Sequence, residues 1–175
     1  FRHVLQGEAQ RDFMLRPAFL NGIRLLKKYE FTYDILIFPD QLSYTYEFVK
    51  AFPDQPFVID HIAKPYVKDQ QIDEWKKDIQ RVAGCSNVYC KVSGMVTEAS
   101  WKTWKKEDFT PYLDVITEAF GTERMMFGSD WPVCLVAASY SEMLSIVSDY
   151  YAPFSQNEKA DIFGENASKF YNVHL

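Results

Sequence analysis

The sequence predicts an α/β fold with a parallel sheet, and two features of its apolar pattern support this prediction. Short, continuously apolar runs alternate along the chain with longer stretches whose apolar residues recur every three or four positions. The first pattern is typical of strands buried on both faces of a parallel sheet, and the second of amphipathic helices. Their alternation, at a spacing of roughly 25 to 35 residues, is typical of β-α-β units.

Five strands are predicted, each from a short apolar run. The second run stops at Pro39, the third leads into Asp60 and His61, and the fifth leads into Ser129 and Asp130. The first predicted strand covers residues 1–6 and closes over 4–6, and the others cover residues 33–38, 56–59, 88–92 and 125–127.

Helices are predicted between and after the strands. In the first helix, for example, Phe19, Ile23 and Leu26 recur at helical spacing and share one face. No Pro- or Gly-rich linker and no low-complexity tract interrupts the pattern, so we predict a single domain over residues 1–175. The predicted helices cover residues 16–29, 42–52, 72–82, 111–120, 141–150, 156–163 and 166–171.

The composition argues against nucleic-acid and membrane partners. The net charge is −5, and no cluster of Lys and Arg exceeds a pair such as Lys27 and Lys28, so the electrostatic footprint of a nucleic-acid-binding surface is missing. No apolar run approaches the ~18 residues that a membrane span needs. The aromatic fraction of 17% suits a rigid core and a site that stacks on a ring-shaped ligand.

The three cysteines, Cys85, Cys90 and Cys134, are predicted to be buried free thiols. They lie apart without Cys-x-x-Cys spacing, in small or apolar surroundings, and no histidine lies near them in the sequence. A structural role is therefore favoured over catalysis. Free thiols are typical of a reducing compartment, and we expect a cytoplasmic protein.

Polar and titratable residues follow four of the five predicted strands. The carboxyl ends of parallel strands converge on one rim, where α/β folds bind their ligands. A carboxylate, an imidazole and an ammonium in one pocket form a set suited to acid–base catalysis. The residues expected to share this pocket are Glu8, His61, Lys64, Ser93 and Asp130.

Each of these residues also has a purely structural interpretation. Asp130 fits the start of a turn, and a histidine after a strand is more often a hydrogen-bonded structural residue than a ligand. Lys64 fits a solvated loop, and Glu8 fits a surface ion pair with a nearby arginine. The functional interpretation depends on His61 and Asp130 occurring together at strand ends.

Three motifs, in order along the chain, resemble the amidohydrolase superfamily. They are DHIAKP at residues 60–65, CKVSGMVTEA at 90–99 and FGSDWPVC at 127–134. The opening RHVLQGE, the run YDILIFP at 33–39 and the closing IFGENASKFY at 162–171 resemble the same superfamily, so the similarity covers the whole chain. Within the superfamily, the motifs are similar to the sugar-lactone branch, which acts on L-fuconolactone and L-rhamnonolactone.

The resemblance implies a (β/α)₈ TIM barrel that opens a small sugar lactone to the aldonic acid. It implies that Asp130, after the last strand, takes a proton from the attacking water, and that His61 holds a metal ion or polarises the substrate carbonyl. The implied cofactor is one divalent metal ion, zinc, with His61 and Asp130 among its ligands. The implied substrate-binding residues are Trp131, as a wall of the sugar site, with Glu8, Lys64 and Ser93.

The sequence departs from the family pattern at its beginning. Family members start with a strand that carries a His-x-His pair of metal ligands, and this sequence contains no His-x-His. With FGSDWP as the eighth strand, the five predicted strands correspond to strands four to eight of the barrel, its C-terminal part. We therefore expect an incomplete metal site and little activity in this chain alone. Either a homo-oligomer or a missing N-terminal half is expected to complete the sheet.

Three functions follow from these observations. The first is a hydrolase whose partner is a small sugar lactone. The second is a non-catalytic half-barrel that serves in assembly or ligand binding. The third keeps the superfamily but changes the chemistry to decarboxylation of a small carboxylic acid.

Overall fold

The computed structural model describes residues 1–173 and shows one parallel sheet of five strands, which confirms the predicted α/β class. Each strand pairs with the next one along the chain, in the order β1-β2-β3-β4-β5. The strands are β1 (Arg2–His3), β2 (Tyr33–Ile35), β3 (Phe57–Ile59), β4 (Val88–Val92) and β5 (Met125–Phe127).

The strand order never reverses, so every β-α unit adds its strand on the same side of the previous one. A doubly wound sheet would reverse its order at a switch point and bind its ligand there. In a sheet of the present order, as in β/α barrels, the carboxyl ends of all strands share one rim. Residues that follow the strands are therefore brought to the same edge of the sheet.

The helices largely match the predicted ones. The first begins at Pro17, whose fixed φ suits the first helical position, and two later ones begin with capping boxes at Ser139 and Ser155. No helix within residues 1–173 has the length and apolar character needed to cross a membrane. The helices are α1 (Pro17–Lys28), α2 (Leu42–Lys50), α3 (Asp73–Ala83), α4 (Thr110–Phe120), α5 (Tyr140–Tyr150), α6 (Gln156–Ala160) and α7 (Asn166–Tyr171), with a π-helical turn at Asp161–Glu165.

The prediction that the first strand extends over residues 4–6 is wrong. The strand β1 lies before them, and Leu5–Gly7 forms a 3₁₀ turn. Leu5 is buried, and the Gln6 N–H donates to the Leu36 carbonyl oxygen at 3.0 Å. The apolar side chain thus stays in the core while the backbone leaves the extended conformation. A short apolar run does not distinguish these two cases.

The two faces of the sheet are covered by different parts of the chain. Phe57 and Ile59 of β3 belong to the large core between the sheet and the helices. Val58, which alternates with them, belongs to a second cluster with Met126 and Phe170. The C-terminal helix α7 therefore packs on the face of the sheet opposite to the main core.

The three cysteines are free thiols, as predicted. Cys90 and Cys134 are buried, whereas Cys85 is only half-buried. Burial raises the pKa of all three thiols. A raised pKa keeps a thiol protonated and poorly nucleophilic, which supports a structural role.

Candidate active site

Four consecutive residues after β3 adopt the left-handed backbone conformation. The φ angles of His61, Ile62, Ala63 and Lys64 are 55°, 47°, 58° and 50°. L-residues other than glycine rarely occupy this region, and strained backbone of this kind concentrates at functional sites. The Lys64 N–H donates to the His61 carbonyl oxygen at 2.8 Å and closes the turn. This left-handed turn (residues 61–64) sets the directions of two predicted site residues.

His61 and Asp130 face each other at the rim of the sheet. His61 follows β3, Asp130 follows β5, and His61 Nε2 lies 3.5 Å from Asp130 Oδ1. Each side chain is only 12% exposed. The strand β4 lies between β3 and β5, so the contact spans three strands. The structure thus brings together the two residues that the sequence predicts as catalytic.

The end of β4 supports His61 from between these two strands. Ser93 is buried, and its Oγ lies 2.8 Å from His61 Nδ1. Gly94 has a φ of +63°, and a Cβ at this position would lie 2.7 Å from atoms of the His61 side chain. Glycine suits both the positive φ and the close approach. The imidazole is therefore fixed by its own turn and by the residues after β4.

Burial shifts the pKa values of both His61 and Asp130. It lowers the pKa of His61, and the opposing effects of the Asp130 and Asp60 carboxylates do not cancel it. Burial also raises the pKa of Asp130, against the opposing effects of His61 and Lys64. The imidazole is therefore neutral at neutral pH, and the carboxylate is a stronger base than that of an exposed aspartate.

Lys64 is paired with a residue that the sequence did not predict for the site. Its Nζ lies 3.1 Å from Glu98 Oε1 and 5.5 Å from the centre of the Phe38 ring. The Thr97 hydroxyl donates to the same Glu98 oxygen at 3.1 Å. Glu98 lies in a 3₁₀ turn beyond the end of β4. In the sequence, the single indication that Glu98 pairs with Lys64 is that their charges are opposite.

A network of charged and polar residues joins the strands next to this rim. Lys91 Nζ lies 2.5 Å from Asp34 Oδ2 and 2.8 Å from Asp60 Oδ1. Arg2 donates to Asp60 Oδ2 at 3.1 Å, and the Tyr171 hydroxyl donates to Asp34 Oδ2 at 2.9 Å. Burial lowers the pKa of Lys91, but the Asp60 and Asp34 carboxylates outweigh it and raise that pKa above its usual value. This strand network was not predicted from the sequence, although Asp34 and Lys91 interrupt two apolar runs.

Two further residues predicted for substrate binding make no side-chain hydrogen bond or ion pair with His61 or Asp130 within residues 1–173: each bonds to another neighbour. Glu8 Oε1 lies 2.6 Å from His3 Nε2, and no hydrogen bond or ion pair within residues 1–173 joins Glu8 to Asp130. Trp131 follows Asp130 directly, and 63% of its surface is exposed. Its N–H donates to the Ser129 hydroxyl oxygen at 3.2 Å. Both residues stay predictions as substrate ligands.

The described residues do not by themselves make a metal site. No group of three or more His, Cys, Asp or Glu side chains within residues 1–173 is arranged to hold a metal ion. His61 and Asp130 provide a pair, whereas a catalytic zinc site uses three protein ligands. A metal ion at this pair would need ligands from outside the described residues.

The fold and the site define an α/β protein with a largely buried imidazole–carboxylate pair at the carboxyl ends of a parallel sheet. The family model described as amidohydrolase matches residues 1–173. The chain belongs to the amidohydrolase family, which confirms the resemblance of its motifs.

Proteins similar to this chain include two sugar lactonases and a solved amidohydrolase. The L-fucono-1,5-lactonase of Burkholderia multivorans is 36% identical, over 98% of this chain and 62% of that protein. The L-rhamnono-gamma-lactonase of Scheffersomyces stipitis is 24% identical, over 99% of this chain and 58% of that protein. An amidohydrolase structure from Burkholderia multivorans with bound zinc superposes with a TM-score of 0.95 at 35% identity, covering 99% of this chain and 64% of that one. The chain thus spans about three fifths of the length of these proteins.

Proposed function

We propose that the protein containing this chain is a hydrolase that opens a small sugar lactone, similar to L-fuconolactone, to the aldonic acid. The observation that carries this proposal is the largely buried His61–Asp130 pair, 3.5 Å apart at the rim of the sheet. The names of the similar proteins support the lactone as the substrate class. A lactone is a cyclic ester, and its hydrolysis needs a base for water and a donor for the carbonyl oxygen.

Asp130 is proposed as the base that takes a proton from the attacking water. Burial raises its pKa, which makes its ionised form a stronger base. His61 is proposed as the donor. If the Ser93 hydroxyl donates to Nδ1, the neutral imidazole carries its proton on Nε2, directed toward the space beside Asp130.

The remaining roles concern the sugar itself. The Lys64 ammonium, held by Glu98, is proposed to donate to a substrate oxygen. The exposed ring of Trp131, next to Asp130, is proposed as a wall that stacks on the apolar face of the sugar. Ser93, predicted from the resemblance as a substrate ligand, is proposed instead to act through His61, because its buried hydroxyl lies 2.8 Å from Nδ1. Glu8 is proposed as a further ligand of a substrate hydroxyl.

A divalent metal ion, with zinc as the first candidate, is also proposed for the complete protein. His61 would then bind the ion through Nε2 in place of donating a proton from it, Asp130 would supply a second ligand, and the others would come from outside residues 1–173. Bound at this pair, the ion would supply Lewis acidity toward the lactone carbonyl. Because the described residues do not complete the site, we assign no step of the reaction to the metal.

We further propose that residues 1–175 form one domain that corresponds to strands four to eight of a (β/α)₈ barrel. The unreversed strand order supports this proposal, as does the extent of the superposition on the zinc-containing amidohydrolase, which covers 64% of that chain. A cytoplasmic location is proposed on the free thiols.

The test is the Asp130→Asn variant of the protein containing this chain, assayed with L-fucono-1,5-lactone. The amide keeps the shape of the side chain but does not accept the proton, so hydrolysis should fall by about 10²- to 10⁴-fold. His61→Asn should also reduce hydrolysis and, if a metal is bound, lower the metal content.

A matched control is Asp40→Asn, which removes an exposed carboxylate that pairs with Arg11. This variant should hydrolyse the lactone like the wild type. Unchanged turnover in Asp130→Asn would exclude Asp130 as the base. A wild-type protein that hydrolyses no sugar lactone would instead favour the decarboxylase or the non-catalytic alternative.

A further inference from the structure

The left-handed turn at residues 61–64 needs a physical reason for its stability. Isoleucine is β-branched and among the residues least suited to a positive φ, yet Ile62 has a φ of 47°. The internal hydrogen bond from Lys64 to His61 closes the turn but would also be available to other turn geometries. A contact from outside the turn is therefore required to hold this conformation.

Such a contact comes from helix α3. The Trp75 indole Nε1–H donates to the Ile62 carbonyl oxygen at 2.9 Å, in a buried environment. Trp75 is 2% exposed, and its ring packs edge-on against Tyr112 of α4 with 5.4 Å between the ring centroids. The indole is thus fixed by two helices, and it supplies a partner for a buried carbonyl group in the middle of the turn.

We propose that Trp75 is a positioning residue, whose indole N–H holds the left-handed turn and thereby directs His61 and Lys64 into the site. That Trp75 holds the turn is independent of the proposed function. That the turn directs His61 and Lys64 for hydrolysis rests on the proposed function. The other supports of His61, Ser93 and Gly94, contact its side chain and not the backbone of the turn. Trp75 bonds that backbone directly.

The first test is the variant Trp75→Phe, made in the protein containing this chain. Phenylalanine keeps an aromatic ring but leaves the buried Ile62 carbonyl group without this donor. We expect amide exchange at Lys64, whose N–H closes the turn, to accelerate by about tenfold or more. We also expect kcat for the lactone to fall by about tenfold to a hundredfold, because a displacement near 1 Å is enough for such a loss.

The matched control is Trp104→Phe. The Trp104 indole also donates to a backbone carbonyl group, that of Ala137, at 2.9 Å. Its loss should lower the unfolding midpoint by an amount comparable to that of Trp75→Phe. It should leave both the exchange at Lys64 and kcat near their wild-type values.

A rescue experiment separates positioning from general stability. Ala63 has a φ of 58°, and glycine adopts this conformation without the steric cost of a Cβ. Adding Ala63→Gly to Trp75→Phe should slow the exchange at Lys64 and recover part of the lost kcat. Ala63→Gly alone should slow that exchange relative to the wild type. Comparison of the double variant with Ala63→Gly isolates the effect of the indole if Trp75→Phe alone does not fold.

Exchange at Lys64 does not depend on any substrate. It therefore tests the inference even if no lactone is hydrolysed, an outcome that would count only against the proposed function. The inference is overturned if Trp75→Phe leaves the exchange at Lys64 unchanged, or if Ala63→Gly fails to slow it in either background.

Discussion

Burial is the largest influence on both Asp130 and His61, and it shifts their two pKa values in opposite directions. A buried carboxylate loses the water that stabilises its charge, so its protonated form is favoured. A buried imidazole loses the water that stabilises its cation, so its neutral form is favoured. Proton acceptance by Asp130 and donation by neutral His61 both agree with these directions.

The pH dependence of the proposed hydrolysis follows from the same shifts. Asp130 must be ionised to act as the base, so activity should be lost as the pH falls through its raised pKa. The acid limb of kcat/KM should therefore lie above the pKa of an exposed aspartate, and it belongs to the coupled pair rather than to one residue. Asp40→Asn, which changes an exposed carboxylate, should show the same limb. A limb at or below the range of ordinary aspartates would contradict this assignment.

The residues of the site differ in how far the sequence could predict them. His61, Ser93 and Asp130 lie within three residues of the ends of predicted strands, and a parallel sheet brings such residues together. Glu98 lies deeper in a loop, and the path of a loop depends on tertiary contacts that the apolar pattern does not encode. For the same reason the sequence did not predict that Glu8 pairs with His3.

At the scale of elements, the alternation of strands and helices was predictable, because the buried residues of a strand and those of a helix recur at different spacings along the sequence. The exception at β1 has a physical cause: Leu5 is buried equally well by a 3₁₀ turn as by a strand. The left-handed turn after β3 was not predictable, because its sequence holds no glycine or asparagine that favours a positive φ. Contacts from β4 and α3 hold it instead.

The contact between the ends of β3 and β4 gives a second prediction. Gly94→Ala should lower the free energy of unfolding by about 1–2 kcal/mol, because Gly94 has a positive φ. It should also displace His61 and reduce hydrolysis, since the new Cβ would lie 2.7 Å from that side chain. Denaturant unfolding and the lactone assay measure the two effects.

Gly22 offers the opposite control within helix α1. Apart from the backbone of its own helix and the two adjoining residues, no atom lies within 4 Å of the position that a Cβ would occupy. Gly22→Ala should therefore stabilise the protein by about 0.5–1 kcal/mol and leave hydrolysis unchanged. If Gly94→Ala and Gly22→Ala changed the free energy of unfolding and the hydrolysis equally, the close approach of Gly94 to His61 would be contradicted.

At the scale of the whole molecule, the strand network ties the sheet to the C-terminal helix. Arg2, Asp34, Asp60 and Lys91 come from β1, β2, the end of β3 and β4, and Tyr171 ends α7. Lys91 contacts both carboxylates, so its removal would leave two partly or fully buried negative charges close together. Breaking a buried pair costs more than an exposed pair contributes.

Lys91→Met should therefore lower the free energy of unfolding by about 3–5 kcal/mol. The matched control is Lys106→Met, which removes an exposed ion pair with Asp149 and should change it by less than about 1 kcal/mol. Denaturant unfolding of both variants measures the difference. If both variants lost similar amounts of unfolding free energy, water would have to screen the charges of the strand network as it does those of an exposed pair.

The two edges of the sheet give the last prediction. Within residues 1–173, β1 pairs only with β2 and β5 only with β4, so both are edge strands, although the Asn166 side chain donates to the Met125 carbonyl oxygen of β5 at 2.7 Å. Exposed apolar residues accompany both edges, Phe1 and Val4 near β1 and Val133 and Leu135 after β5. Unpaired edges with apolar neighbours are templates for association.

We therefore expect the 175-residue polypeptide, purified by itself, to self-associate, most simply as a two-fold dimer. Light scattering coupled to size exclusion, over a range of concentrations, measures the mass. Leu135→Lys places a charge beside the β5 edge and should weaken the association. Leu25→Lys changes an equally exposed residue on helix α1 and should have no effect. A monomer at every concentration, with a single cooperative unfolding transition, would show that the edges are protected without a partner and would contradict the assignment of the five strands to part of a barrel.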